Sequence, residues 1–274
     1  MLKQRVITAL VLLPIVLGAL FLLERQWFAV VAGLFFLAAA WEWSALMGLR
    51  SLPARLLLLL ATGLLMLAAE HWQPHWLVTL VPLWWLAALA MVVAFPSGAA
   101  NWFRPPFLFL IGMLLLLPSW AAVVHLQAGG AFGLAGPWAL LFILVWVWAA
   151  DTGAYFSGRA FGRHKLAPAV SPGKTIEGLV GGLVLALLIV ALVVWWFALS
   201  VSLGQLLLVA AITVLASVLG DLFESAIKRR RGVKDSGVML PGHGGMLDRI
   251  DSITAALPVA LMLISWLALP GGLK

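Results

Sequence analysis

The sequence predicts an all-α polytopic membrane protein of about nine transmembrane helices, and three observations predict it. First, 64% of the residues are hydrophobic and only 10% are charged, with a mean hydropathy of +1.12. Second, the apolar residues fall in continuous runs of about 20, long enough to cross a hydrocarbon core of about 30 Å as a helix. A transmembrane β-barrel would instead alternate apolar and polar positions. Third, no polar stretch exceeds roughly 20 residues, too few to bury a water-soluble core.

The runs lie at roughly 6–23, 27–47, 52–69, 76–95, 107–127, 137–157, 176–199, 203–227 and 247–269. The first follows Lys3 and Arg5, like a secretion signal. Its apolar run is long for one and no small-residue cleavage site follows, so it is expected to be an uncleaved span. The second and third runs are joined by the short turn 48–51 and are expected to pair antiparallel. Trp27, Trp41, Trp43, Trp72, Trp76, Trp102 and Trp138 fall near run ends, as interfacial belts require. The sixth run carries Asp151 and Tyr155, the eighth ends in charge, and the ninth opens with charge.

Alternating the runs across a bilayer places every lysine and arginine on the N-terminal side except Arg25 and Lys274, out of 17. By the positive-inside rule that side is cytoplasmic. The N-terminus and the two polar loops, 158–175 and 228–246, then share the cytoplasmic face and can enclose a polar cavity open to it. The chain divides into 1–150, about five helices leading into the sixth, and 151–274, a region with the chemistry-bearing loops. The formal charge of +7 reads as topology rather than nucleic-acid binding, because the basic residues sit in short loops. With no cysteine, disulfides, thiolate metal sites and cysteine nucleophiles are excluded.

Ionisable groups near hydrocarbon are costly and tend to be functional. They concentrate between residues 221 and 251. Asp221, Glu224, Ser225 and Lys228 are spaced to share one helical face. Asp221 lies about two turns inside the run and must face the bundle interior or a cavity; it is either half of an intramembrane ion pair or a metal ligand. Asp248 and Asp251 are three apart at a helix start. One could cap that helix. Two on one face suit a divalent cation, and hard oxygen donors without thiolates point to magnesium. Glu42, between Trp41 and Trp43, is expected to hydrogen-bond between helices, and His71, His75 and His125 are read as structural.

The loop between the last two runs reads KRRRGVKDSGVMLPGHGG. Lys228 to Arg231 serve either as a topology signal or, with Arg229, Lys234, Asp235 and Arg249, as part of a phosphate site. Gly244 and Gly245 permit close backbone approach, and N–H groups entering a helix favour anions. His243 is a general acid, a hydrogen-bond donor or a loop brace. In the earlier loop, GKT at 173–175 suggests a nucleotide P-loop, but position 168 is Pro168 where that motif needs glycine, and no strand is expected before it. Ser171, Lys174 and Thr175 ahead of a helix start form either an entry turn or a phosphate contact.

The run Ser225-Ala-Ile-Lys228-Arg229, four residues, Lys234-Asp235, then Gly237, Leu240-Pro241, His243-Gly244-Gly245 and Asp248-Arg249-Ile250-Asp251 resembles the full signature of the phosphatidate cytidylyltransferases, also called CDP-diacylglycerol synthases. SPGKTIEG upstream is similar to a second family segment, with Ile176 where many members carry tryptophan. The resemblance is strong over about 151–257, and the first 150 residues fit only in being polytopic. It implies transfer of a cytidylyl group from CTP to phosphatidic acid, giving CDP-diacylglycerol and pyrophosphate, with Mg2+, in phospholipid biosynthesis. It implies Asp221, Asp248 and Asp251 as metal-binding acids, with Ser225, Lys228, Lys234 and His243 as further motif groups. It also implies a homodimer in a bacterial inner membrane, with CTP, phosphatidic acid and membrane lipid as partners and no nucleic acid.

Three rival readings are weaker. Enzymes that transfer a phospho-alcohol from CDP-diacylglycerol carry a motif opening with Asp-Gly and closing on aspartates four apart, a run not found here. A carrier would show repeated halves and acids spread across the bilayer. A lipid-binding scaffold using Lys228 to Arg231 leaves the acids unexplained.

Overall fold

The computed structural model describes residues 2–72, 80–98, 102–242 and 244–273. Among them are nine helices: α1 (Leu2–Leu22), α2 (Arg25–Leu46), α3 (Leu52–Trp72), α4 (Val81–Val93), α5 (Pro105–Gly129), α6 (Gly136–Phe161), α7 (Ile176–Phe197), α8 (Leu203–Arg231) and α9 (Leu247–Trp266). Six of them, α2, α3, α5, α6, α7 and α8, are long and apolar enough to cross a membrane. The fourth expected run is represented by the 13 residues of α4, its first positions lying outside the described residues. α8 runs four residues past its expected end, to Arg231, and closes on Gly232 in the left-handed region, φ 73°.

The expectation of a purely helical chain needs one correction. Lys165–Ala167 (β1) and Ser171–Thr175 (β2) pair antiparallel, with Lys165 opposite Thr175 and Ala167 opposite Ser171. Glycine and proline made this stretch read as an irregular loop, but the side chain of Val170 at its turn is buried, giving the hairpin an anchor. Thr175 ends the strand and caps α7, its Oγ1 accepting from Gly178 N at 3.1 Å.

α9 is the central helix, packed against α8, α5, α2, α6 and α4, with nearly every side chain from Thr254 to Ile264 buried. α7 and α3 lie outside. Val180, Val184, Leu188 and Leu192 are exposed at helical spacing along α7, as lipid contact requires. Small residues set the closest helix approaches, as in other membrane bundles. A Cβ at Gly182 on α7 would collide with the Ala150 carbonyl of α6, and one at Gly112 with the Trp43 indole. Trp43 is therefore a core residue rather than an interfacial one: it is 1% exposed and donates from Nε1 to Leu108 O at 2.8 Å. Trp76 lies outside the described residues, whereas Trp27, Trp72 and Trp138 are exposed.

Helix ends gather in two groups. At one end Thr8 Oγ1 donates to Pro241 O at 2.9 Å, and the Arg231 guanidinium lies over the Phe103 ring and donates to Leu46 O. At the other, Gln127 Nε2 donates to Leu23 O at 3.1 Å and Phe132 N to Pro270 O at 3.0 Å. The polar loops and the hairpin belong to the first end.

Candidate functional site

Helices α8 and α9 meet where Gly220 leaves room. A Cβ there would stand 2.6 Å from the Asp251 carbonyl oxygen, so the glycine lets the α9 backbone approach one residue before Asp221. The carboxylates of Asp221 and Asp251 consequently repel each other, and Asp151 of α6 feels Asp221, Lys174 and Arg249. Lys174, carried on β2, places Nζ 2.7 Å from Asp221 Oδ2, each side chain 28% exposed. The ion-pair reading of Asp221 is realised, in a place that solvent reaches. Ser225 Oγ donates to Asp221 Oδ1 at 3.2 Å, one helical turn on.

A second cluster lies deeper. Lys228 Nζ sits 2.6 Å from Asp248 Oδ1 and 3.0 Å from Glu224 Oε1, with all three side chains under 10% exposed. The other oxygen of Glu224 has no hydrogen-bond donor among the described residues. Lys228 thus bridges two acids inside the bundle, where an unpaired charge would be costly.

Asp248 and Asp251, adjacent on paper, serve different partners. Asp248 Oδ2 accepts from Ser236 N at 2.9 Å and Gly245 N at 2.8 Å, bracing the loop, whereas Asp251 Oδ1 accepts from Ser252 N at 2.7 Å. Glu42 completes the brace from α2. Its carboxylate accepts from Met246 N at 3.0 Å, Leu247 N at 2.8 Å and Ser236 Oγ at 2.9 Å. The two backbone donors belong to the α9 N-terminus and are left open by the helix itself, and the Ser236 hydroxyl comes from the loop. The glycine loop does bind anions through its N–H groups, but at these positions the anions are the chain's own carboxylates. Gly244 adopts φ 81°, and a Cβ at Gly245 would collide with Glu42 and Ser236.

The remaining expected residues divide. Arg229 is engaged by carbonyls, Val170 O at 3.2 Å and Val233 O at 3.3 Å, and ties the hairpin to α8. Thr175 is buried as a cap, and Ser171 pairs through its backbone with Ala167. Lys234, Asp235, Gly244 and Arg249 line a cavity of about 720 Å³ under the loop. Asp151, Tyr155, Arg159, Lys174 and Thr175 line another of about 400 Å³ between α6, the hairpin and α7. His243 and His75 lie outside the described residues. Glu42 hydrogen-bonds between helices as expected, from α2 to the α9 N-terminus; sequence reasoning missed Ser236, which shares that carboxylate.

Among the described residues no three His, Asp or Glu side chains converge closely enough to hold a metal ion unaided. The cluster nonetheless sets five carboxylates, Asp151, Asp221, Glu224, Asp248 and Asp251, against three cations, Lys174, Lys228 and Arg249. The excess of acid, with two aspartates repelling each other within reach of a cavity wall, is the chemistry that a hard divalent cation relieves.

Residues 3–267 match the model of the cytidylyltransferase family. The chain is 47% identical to the phosphatidate cytidylyltransferase of Pseudomonas aeruginosa over 272 residues, 98% of each chain. It is 40% identical to that of Haemophilus influenzae, covering 94% of this chain and 96% of the relative. A third, from Staphylococcus saprophyticus, is 47% identical over 125 residues, 46% of this chain and 48% of the relative.

Proposed function

This chain belongs to the cytidylyltransferase family, and from that membership we infer that it transfers a cytidylyl group from CTP to phosphatidic acid, giving CDP-diacylglycerol and pyrophosphate for phospholipid synthesis. A phosphatidate oxygen attacks the α-phosphorus of CTP; the new P–O–P bond forms as the bond to the β-phosphate breaks, and pyrophosphate leaves with the bonding electrons. The attacking oxygen is already anionic, so the work is to bring two anions together and to stabilise charge on the leaving group. The observation that carries the reading is the α8–α9 crossing, where Asp221, Asp251 and Lys174 meet beside cavities in which cations outnumber acids, Arg159 and Lys174 against Asp151 in one, Lys234 and Arg249 against Asp235 in the other.

Each residue then has a task. Lys174, solvent-accessible and paired with Asp221, can exchange that carboxylate for a substrate phosphate. Lys234 and Arg249 supply further positive charge on the other cavity wall. Lys228, Asp248 and Glu42 hold the loop and the α9 N-terminus rigid, so that these groups stay aimed.

The cofactor is proposed to be Mg2+. Asp221 and Asp251 are the residues that would hold it, and Ser225 orients Asp221. Asp248, both of whose oxygens are already engaged, braces the loop in preference to serving as a ligand. When bound, the ion would supply charge neutralisation for the phosphates and the departing pyrophosphate.

The positive-inside distribution supports nine spans in a bacterial inner membrane, with the N-terminus and the site facing the cytoplasm. A homodimer is proposed as the assembly the resemblance implies, to be checked by mass from light scattering in detergent.

The reaction is tested with CTP labelled at either end. Label from the α-phosphate is expected in the lipid phase and label from the γ-phosphate in pyrophosphate, with phosphatidic acid accepting and diacylglycerol not. Transfer of the γ label to lipid would make the protein a kinase and overturn the reading.

A further inference from the structure

An apolar groove of about 240 Å³ runs between α1, α2, α6 and α9. Val16 and Ala19 of α1, Phe28 and Phe35 of α2, and Ile253 and Leu257 of α9 form its walls. It exists because α1 stands off from the bundle. Its main helix contact is with α2, and Thr8 pins its first turns to Pro241 of the glycine loop. The groove opens at a polar head. Leu240 and Arg249 line both this groove and the 720 Å³ cavity that contains Lys234. The Arg249 side chain makes no hydrogen bond or ion pair among the described residues. The two spaces join at the Arg249 guanidinium, whose charge also acts on Asp151, polar on one side and apolar on the other.

We propose that this groove seats one acyl chain of the phosphatidate, with the lipid phosphate at Arg249 and Lys234; the proposal rests on the cytidylyl-transfer reading. Charge complementarity selects the occupant, since the head of the groove sets Arg249 and Lys234 against the single acid Asp235, and its body is lined by apolar side chains apart from the Trp148 indole. The dimensions agree. From Arg249 to Leu257, or from Leu12 to Leu20, is eight residues of helix, about 12 Å. One leaflet of hydrocarbon is about 15 Å deep, half of the full core. The groove is smaller than the pockets of about 300 Å³ and more that enclose drug-sized ligands, so it holds one chain and leaves the other in the bilayer.

The groove contributes position more than affinity. A lipid tail in the bilayer is already in hydrocarbon, so moving it against leucine and phenylalanine gains little. The attraction comes from the phosphate. The seated chain fixes the lipid's depth and rotation, and so aims the phosphate oxygen at the Asp221–Asp251 crossing. The site should therefore discriminate phosphatidates by chain.

The test compares full-length protein carrying Ala19→Trp, which fills the groove from the loosely packed α1, with Leu67→Trp on the exposed face of α3. Each is assayed with dioleoyl and with dihexanoyl phosphatidate at saturating CTP. The proposal predicts that Ala19→Trp lowers the ratio of kcat/KM for the long over the short lipid by about tenfold, while Leu67→Trp leaves the ratio at its unsubstituted value. An unchanged ratio in Ala19→Trp overturns it. If the unsubstituted protein turns over neither lipid, the cytidylyl-transfer reading has failed instead. Should Ala19→Trp not fold, a phosphatidate with a diazirine halfway along one chain decides the matter. Crosslinks at Val16, Phe35 or Ile253 that excess unlabelled phosphatidate removes support the seat; competable crosslinks confined to α3 and α7 contradict it.

Discussion

At the scale of single residues, Glu42 carries a structural load outside the reacting groups. It accepts from two α9 backbone N–H groups and from Ser236 Oγ while 3% exposed. Glu42→Ala strands those buried donors, each costing about 1–3 kcal/mol, and should lower stability by about 3 kcal/mol or more. The check is thermal unfolding in detergent, and an unchanged midpoint would mean the α9 donors find other partners. Lys174 makes the opposite prediction. It is partly exposed and its ion pair is replaceable, so Lys174→Ala should leave unfolding nearly unchanged while raising KM for CTP or phosphatidate. The aspartates, Lys174, Lys228 and Arg249 were legible as a charged cluster in an apolar chain. Their pairings were not: the spacing of three positions from Asp248 to Asp251 promised a shared face, yet Asp248 turns to Lys228 and the loop. Such a choice depends on what α2 and the loop bring, which helical spacing does not encode.

At the scale of elements, two devices place the site. The Thr175 cap fixes where β2 stops and α7 starts, and so where Lys174 points. Thr175→Ala should cost about 1 kcal/mol and Thr175→Ser little, read as unfolding midpoints. Gly220 sets the α8–α9 approach. Gly220→Val inserts a branched side chain where even a Cβ would crowd the Asp251 carbonyl and Ala255, and should reduce activity more than Ser217→Ala one turn away. Equal activity in the two would remove Gly220 from the account. The helices were readable as apolar runs, with ends displaced by a few residues. The hairpin was not, because its short strands carry Pro172 and Gly173, and its anchor, Val170, is one valine among many.

At the scale of the whole molecule, the bundle sets its loops, hairpin and α1 start at one end and its Phe132–Pro270 contact at the other. In the proposed topology, charge segregation puts the first end in the cytoplasm. Because the chain has no cysteine, single introduced thiols report this directly. A membrane-impermeant maleimide should label Ser200→Cys in cells with a permeabilised outer membrane, and Val238→Cys only after the inner membrane is broken. The reverse would invert the topology. This two-ended arrangement was the most legible property of the sequence, since length and charge alone determine it. The contribution of the first 150 residues was the least legible, because the partners of Glu42 and the α1–α2 groove walls lie far along the chain.

The measurement that bears most directly on the central claim is CDP-diacylglycerol formation by purified protein across a magnesium titration, with Asp251→Asn and Asp221→Asn beside the unsubstituted chain. The account predicts no product without a divalent cation, and a loss of about 100-fold or more in each variant with unfolding unchanged. Activity and magnesium dependence equal to the unsubstituted chain in Asp251→Asn would place the reaction somewhere other than the α8–α9 crossing.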